Sequence, residues 1–330
     1  MRNLIACLKI LLVFAFLGVL TACNYTVKFD GESLFNEQGQ EFGRLTWDIS
    51  SATDSQYHIQ HVTLSPGIGE VDLSGSVDVY PSQTTTYTLA VDATRDDGTV
   101  WNTSKKVTIY IGPRVNYSLF KDTALRTCAQ ETKYTHIEQF KALACFGRGI
   151  KRLSGVEQLK QLTYLGIDNN LVTDFSPLQS LENLGTLSAS GNGITSVASF
   201  PVLDSLHVLV LSENAIIDPS PLSALPNLDH LTLDHNQITD TSTLGNFKQL
   251  TSLFLQNNTI TNVSALGSLS HLEALNLASN GVRSGVASLG LLKGIFALDM
   301  RGNHDVSCLQ YGTLYLVLGP ALLTDGCHFP

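Results

Sequence analysis

From residue 140 onward, apolar residues recur in a fixed frame. Each copy reads L-x-x-L-x-L-x-x-N-x-I. One instance is Leu228-Asp229-His230-Leu231-Thr232-Leu233-Asp234-His235-Asn236-Gln237-Ile238, and Leu250 to Ile260 is another. The asparagines fall at Asn170, Asn192, Asn214, Asn236, Asn258, Asn280 and Asn303, spaced by 22 five times and then by 23. Leucines at alternate positions predict a short strand with one buried face. One such unit cannot bury that face alone, so the repeat predicts stacked units sharing one core. The asparagine carries both donors and acceptors, which suits backbone groups left free at a corner. Its predicted role is a structural ladder, not catalysis.

A different pattern precedes the repeats. Alternating runs occur at Leu45 to Ile49, Ile59 to Leu64, Tyr87 to Val91 and Lys106 to Ile111. Turn chemistry separates them at Ser65-Pro66-Gly67, Tyr80-Pro81-Ser82 and Asp96-Asp97-Gly98. These are half-buried strands of a beta-sandwich over residues 26–112. Trp47 is expected in its core, and the domain is expected to act as a spacer.

The second half of each repeat narrows the reading. Val172-Thr173-Asp174-Phe175-Ser176-Pro177-Leu178 and Ile216-Ile217-Asp218-Pro219-Ser220-Pro221-Leu222 follow I-T-D-x-S-P-L. Frame and second half together resemble the leucine-rich repeats of internalin-type bacterial proteins, over about 190 residues. Two departures stand out. Ala189 replaces a leucine, which implies a slightly loose second repeat. One extra residue lies between Val282 and Leu289, which implies a local bulge. The sandwich segment resembles bacterial Ig-like surface modules, without their intersheet cysteine pair. The fold class expected is therefore β-rich: an Ig-like sandwich at 26–112, a linker and N-terminal cap at 113–150, a right-handed leucine-rich-repeat solenoid at 151–304, and a C-terminal cap at 305–330.

The resemblance implies that the inward curve of the solenoid binds a partner, a protein before a glycan. Strand positions alternating with the leucines line that curve. They include Tyr164, Asp168, Val208, Val210, His230, Asp234, Phe254, Gln256, Asn276 and Arg301. Seven to eight strands at ~4.8 Å span roughly 35 Å, enough for a footprint of about 800 Å². Tyr164, Val208, Val210 and Phe254 are apolar where water is expected, and such residues serve as anchors.

The N-terminus adds an address. Arg2 and Lys9 precede an uncharged apolar run from Ile10 to Leu20, too short to span a bilayer and typical of a signal peptide. The run ends in Leu20-Thr21-Ala22-Cys23, which resembles the lipobox of bacterial lipoproteins. The resemblance implies cleavage after residue 22, acylation of Cys23, and a short tether at 23–25. Asn24 points to the outer membrane if the organism is Gram-negative, because Asp there favours inner-membrane retention. Two or more acyl chains give stable membrane anchoring.

Of six cysteines, Cys7 leaves with the signal and Cys23 is acylated. Cys128, Cys145, Cys308 and Cys327 remain, in an oxidising compartment where an even count favours disulfides. Three pairings are open. The local pairs Cys128–Cys145 and Cys308–Cys327 flank the repeats, and they suit caps built from Leu125 to Cys145 and from Leu309 to Leu323. Solenoid ends need such caps.

Composition then removes alternatives. The 330 residues carry 20 Lys+Arg, 29 Asp+Glu and a net charge of −9, which disfavours nucleic acid as partner. Hydrophobic residues make up 43%, enough for a core. G-x-S-x-G, H-E-x-x-H, P-loop and post-strand G-x-G-x-x-G motifs are absent, and Ser188 to Gly193 reads as turn chemistry. His230, Asp234 and His235 carry metal-ligating groups but lack an evident third ligand on one face. No metal, cofactor or enzymatic activity is expected. Asn102, Asn116, Asn257 and Asn262 head glycosylation sequons, which the lipobox argues against. Two roles remain open within binding: surface recognition or adhesion, and a periplasm-facing envelope scaffold.

Overall fold

The computed structural model describes residues 25–38, 40–51, 57–325 and 327. The signal segment 1–22, the acylation candidate Cys23 and Asn24 lie outside the described residues. The chain divides into two compact units between Pro113 and Arg114.

Among the described residues the regular elements of the first unit are all strands. Its elements are β1 (Tyr25–Phe35), β2 (Glu41–Ser51), β3 (Tyr57–Ser65), β4 (Gly69–Glu70), β5 (Ser74–Val79), β6 (Thr85–Arg95) and β7 (Val100–Ile109). One antiparallel sheet has the order β1-β2-β5 and the other β4-β3-β6-β7. Val27, Phe29, Leu45, Trp47 and Ile49 from the first sheet meet Val62, Leu64, Tyr87, Leu89, Val91 and Ile109 from the second in one core. Trp47 is 7% exposed, and its indole Nε1–H donates to the Asp72 carbonyl at 2.9 Å. Its cross-strand partner is Gly75, where an added Cβ would stand 2.8 Å from the indole. The glycine leaves room for the ring.

Two differences from the sequence expectation have physical causes. β1 is a full strand whose alternation, Val27 then Phe29, breaks at Gly31. A Cβ there would collide with Val107 and Leu45. β7 starts at Val100 and not at Lys106. It is an edge strand, and its inward positions Thr103 and Lys105 are polar and only half-buried, which hides the alternation in the sequence.

In the second unit each repeat contributes one short strand. The strands are β8 (Ala142–Ala144), β9 (Tyr164–Gly166), β10 (Thr186–Ser188), β11 (Val208–Val210), β12 (His230–Thr232), β13 (Ser252–Phe254), β14 (Ala274–Asn276), β15 (Ala297–Asp299) and β16 (Leu322–Leu323). They form one nine-stranded parallel sheet in strict chain order. Leu165, Leu187, Leu209, Leu231, Leu253, Leu275 and Leu298 sit in register and are buried. Ala189 is fully buried as well.

The return path of each repeat explains the I-T-D-x-S-P-L motif. The Asp174 carboxylate accepts from the Ser176 N–H at 2.9 Å, and Asp218 accepts from Ser220 at 2.9 Å. Asp240 and Asn262 repeat the contact with Ser242 and Ser264. This local side-chain turn starts the short 3-10 helices Ser176–Ser180, Ser220–Ala224 and Ser264–Ser268. Leu178, Leu222 and Leu266 are buried from them. In the long repeat Gly285 takes the turn instead, at φ +82°. A side chain there would strike Ser264.

The asparagines form a hydrogen-bonded ladder. Asn236 Nδ2 donates to the carbonyls of Leu211, Leu233 and Asp234, and its Oδ1 accepts from Ile216 N–H. Asn170, Asn192, Asn214, Asn258, Asn280 and Asn303 make equivalent bonds to the previous turn. The residue before each one is left-handed: Asn169, Gly191, Glu213, His235, Asn257, Ser279 and Gly302 all have φ between 52° and 74°.

Both ends carry a helix and a disulfide. Helix α1 (Thr123–Glu131) buries Leu125, Cys128 and Ala129. Cys128 is bonded to Cys145, just past β8, with Cα atoms 5.9 Å apart. Asp122 caps α1 through Ala124 and Leu125 N–H, and its other oxygen accepts from Lys151 and Arg152 N–H. Helix α2 (Cys308–Leu318) buries Tyr311 and Leu314, and Cys308 is bonded to Cys327.

Candidate functional site

The solvent face of the parallel sheet is the surface that the repeat resemblance makes concave. Strand register sorts it into rows. Tyr164, Thr186, Val208, His230, Ser252, Ala274 and Ala297 form one row across the sheet. Gly166, Ser188, Val210, Thr232, Phe254, Asn276 and Asp299 form the next. Asp168, Asp234, Gln256 and Arg301 follow two residues beyond. Side chains in both strand rows are mostly small, so the larger ones stand out.

Tyr164, Val208, Val210 and Phe254 are half-buried. Burial, and then the charge of Asp168, pushes the Tyr164 hydroxyl pKa upward. Gly166 carries no side chain, and two aromatics occupy the space above it. A Cβ on Gly166 would stand 2.6 Å from Phe146 Cε1 and 2.7 Å from the Tyr164 hydroxyl. Phe146 is 50% exposed and extends the apolar band beyond the first full repeat. Its signal emerges only when Cys145-Phe146 is aligned one period before Ile167-Asp168.

Most polar candidates are held within the sheet. Asp168 accepts from the Ser188 hydroxyl at 2.6 Å and from Ser190 N–H at 2.8 Å. Asn276 accepts from Ala278 N–H at 2.9 Å. Arg301 forks onto Asp299 at 2.9 and 2.6 Å. Burial alone would raise the Asp299 pKa, but the bonds from Arg301 hold it below the usual carboxylate value. Gln256 differs: its Oε1 is buried and has no hydrogen-bond partner.

The histidine candidates do not converge. His230 Nδ1 lies 2.6 Å from Asp229 Oδ1, and His207 Nδ1 lies 3.3 Å from the other oxygen of that carboxylate. Asp234 is bound instead by the Ser212 hydroxyl at 2.5 Å and by His235 at 2.8 Å. His230 and Asp234 thus belong to separate hydrogen-bonded groups. His235 occupies a left-handed corner, which takes its ring out of the strand rows. Among the described residues no three His, Cys, Asp or Glu side chains are placed to hold a metal ion.

Comparison with known proteins bears on the repeats. The family model for leucine-rich repeats, two copies, matches residues 204–246. Internalin C2 from Listeria monocytogenes is 27% identical over 57% of this chain and 97% of its own, with a TM-score of 0.46. An internalin of the same species, InlF, is 22% identical over 64% of this chain and 91% of its own, with a TM-score of 0.27. No curated relative matches the chain. The chain therefore carries leucine-rich repeats and is similar to internalins.

Proposed function

We propose that the chain is a non-enzymatic cell-envelope lipoprotein that recognises a partner protein on the solvent face of its repeat sheet. The observation that carries this reading is the apolar band of Phe146, Tyr164, Val208, Val210 and Phe254 on a face otherwise built of small and polar residues. Aromatic side chains held by a rigid sheet lose little freedom on binding and make favoured anchors. The hydrogen bonds that Asp168, Asp234 and Arg301 already make within the sheet favour a protein over a glycan, because a glycan needs free polar groups.

The rest of the reading follows the chain order. Cys23 anchors the protein to a membrane, the outer membrane of a Gram-negative organism given Asn24. The strand order β1-β2-β5 over β4-β3-β6-β7 supports an Ig-like sandwich, and its role is to space the repeats from the anchor. The separation of His230 from Asp234 speaks against a hidden hydrolase.

Two experiments test this. A photoreactive residue in place of Ser252 should crosslink one protein in living cells, and Tyr164→Ala with Phe254→Ala should abolish the adduct without unfolding. An adduct that survives the double variant refutes the sheet face as the site. Proteinase K on intact cells, read with antibody against the repeats, decides the role. Digestion places the repeats outside and fits recognition of another cell or surface, whereas protection until the outer membrane opens fits the periplasmic scaffold.

A further inference from the structure

Helix α2 has no charged residue in any position. One face, Tyr311 and Leu314, is buried against the last repeat. The opposite side, beside the exposed Gln310 and Thr313, also carries large apolar side chains in water: Leu309 is 82% exposed, Leu316 87% and Val317 52%. An uncharged helix with large apolar side chains on two opposite sides belongs in a covered environment. A solenoid end that meets water needs a polar outer surface, and here three large apolar side chains interrupt it. Leu291 enlarges the same patch. It follows Gly290, where an added Cβ would stand 3.7 Å from Val317 Cγ1.

We propose that this face joins two copies of the chain across a two-fold axis. Leu309 and Leu316 are two helical turns apart on one stripe, with Gly312 and Thr313 midway between them. Set antiparallel, Leu309 of one copy meets Leu316 of the other, and the reverse contact repeats it, as a two-fold requires. The axis passes beside Gly312 and Thr313, whose small side chains let the helices approach to about 8 Å. Leu291, Leu309, Leu316 and Val317 offer on the order of 500 Å² of apolar surface, the apolar share of a standard footprint of about 800 Å² per partner. No charge on the helix has to be buried. Ser307 and Gln310 cap the first turn reciprocally, and the Cys308–Cys327 disulfide fixes the same end. The face is therefore ordered before association, which lowers the cost of binding.

Sedimentation velocity of the full chain carrying Cys23→Ser, so that no acyl chain contributes, tests the proposal. A reversible dimer is expected over about 1 to 100 µM. Leu309→Glu with Leu316→Glu should sediment as a monomer, with a melting midpoint within about 2 °C of the parent, because both residues are exposed. Should that variant fail to fold, Leu316→Gln alone should weaken the dimer at least about tenfold. A chain that stays monomeric at about 100 µM, or a dimer that persists unchanged in the folded variants, overturns the two-fold interface.

Discussion

Asn236 stands 25 residues after Leu211, yet its side-chain amide donates to the Leu211 carbonyl at 2.9 Å. That single bond links one turn of the solenoid to the one before it. The same amide also closes its own corner through Leu233 and Asp234, and its oxygen accepts from Ile216. Asn236→Ala leaves these buried backbone groups unpaired, and it should cost about 1–3 kcal/mol. Urea titration monitored by circular dichroism measures the loss. A stability equal to that of the parent would mean that the ladder contributes nothing.

The residue before each ladder asparagine tests the corner from the other side. Glu213 has φ of 55°, a region that L side chains enter at a cost and glycine enters freely. Gly191 and Gly302 already fill equivalent corners. Glu213→Gly should be neutral or mildly stabilising. Glu213→Val should destabilise by about 1–2 kcal/mol, since a β-branched residue suits this region least. Equal midpoints for the two variants would show that corner conformation is not limiting.

These corners also show where the sequence speaks and where it is silent. The ladder is legible because one residue type recurs at one spacing. The left-handed residue beside it is not, because Asn, Gly, Glu, His and Ser all occupy it and the constraint lies in the backbone. The sheet register, and with it the placement of Tyr164, Val208, Val210 and Phe254, follows from alternation alone. The pairing of His230 with Asp229 does not, because strand alternation ranks His230 with Asp234 while the neighbouring pre-strand residue supplies the carboxylate. Phe146 is hidden for a related reason. Its repeat is degenerate, and the space it fills exists only because Gly166 lacks a side chain.

Asp122 makes stability respond to acid. It is buried, which by itself would raise its pKa, but N–H donors from Lys151, Leu125, Ala124 and Arg152 together hold it below the usual carboxylate value. The folded value is therefore lower than the unfolded one, near 3.9. The stabilisation is fully present above the unfolded value and is lost as pH falls through the folded value. Asp122→Asn turns an NH₂ group toward one pair of these donors, and it should cost about 2 kcal/mol at neutral pH. Melts at pH 7 and pH 2.5 should show the gap between parent and variant closing in acid. A gap of constant size would mean that the charge is not what the four donors stabilise.

Tyr311 sets the alkaline limit in the opposite sense. Its hydroxyl donates to the Met300 carbonyl at 3.1 Å, with the Asn303 carbonyl at 3.3 Å, inside the C-terminal cap. Burial, and then the charge of Asp325, pushes its pKa up to about 12. An unfolded tyrosine titrates near 10. Between these values the unfolded chain has released the phenolic proton and the folded chain has kept it. The unfolded state then binds fewer protons, so stability falls as pH rises, by about 1.4 kcal/mol per pH unit in that window. Tyr311→Phe removes this slope and also removes the bonds to the two carbonyls. It should be less stable than the parent by about 1–2 kcal/mol at pH 8. By pH 11 the difference should shrink by about 1 kcal/mol, because only the parent has an ionisable group at this position. Urea titrations of both proteins at the two pH values measure the change. Parallel losses in parent and variant would place the alkaline sensitivity at other tyrosines, of which Tyr87 and Tyr117 are also raised by burial.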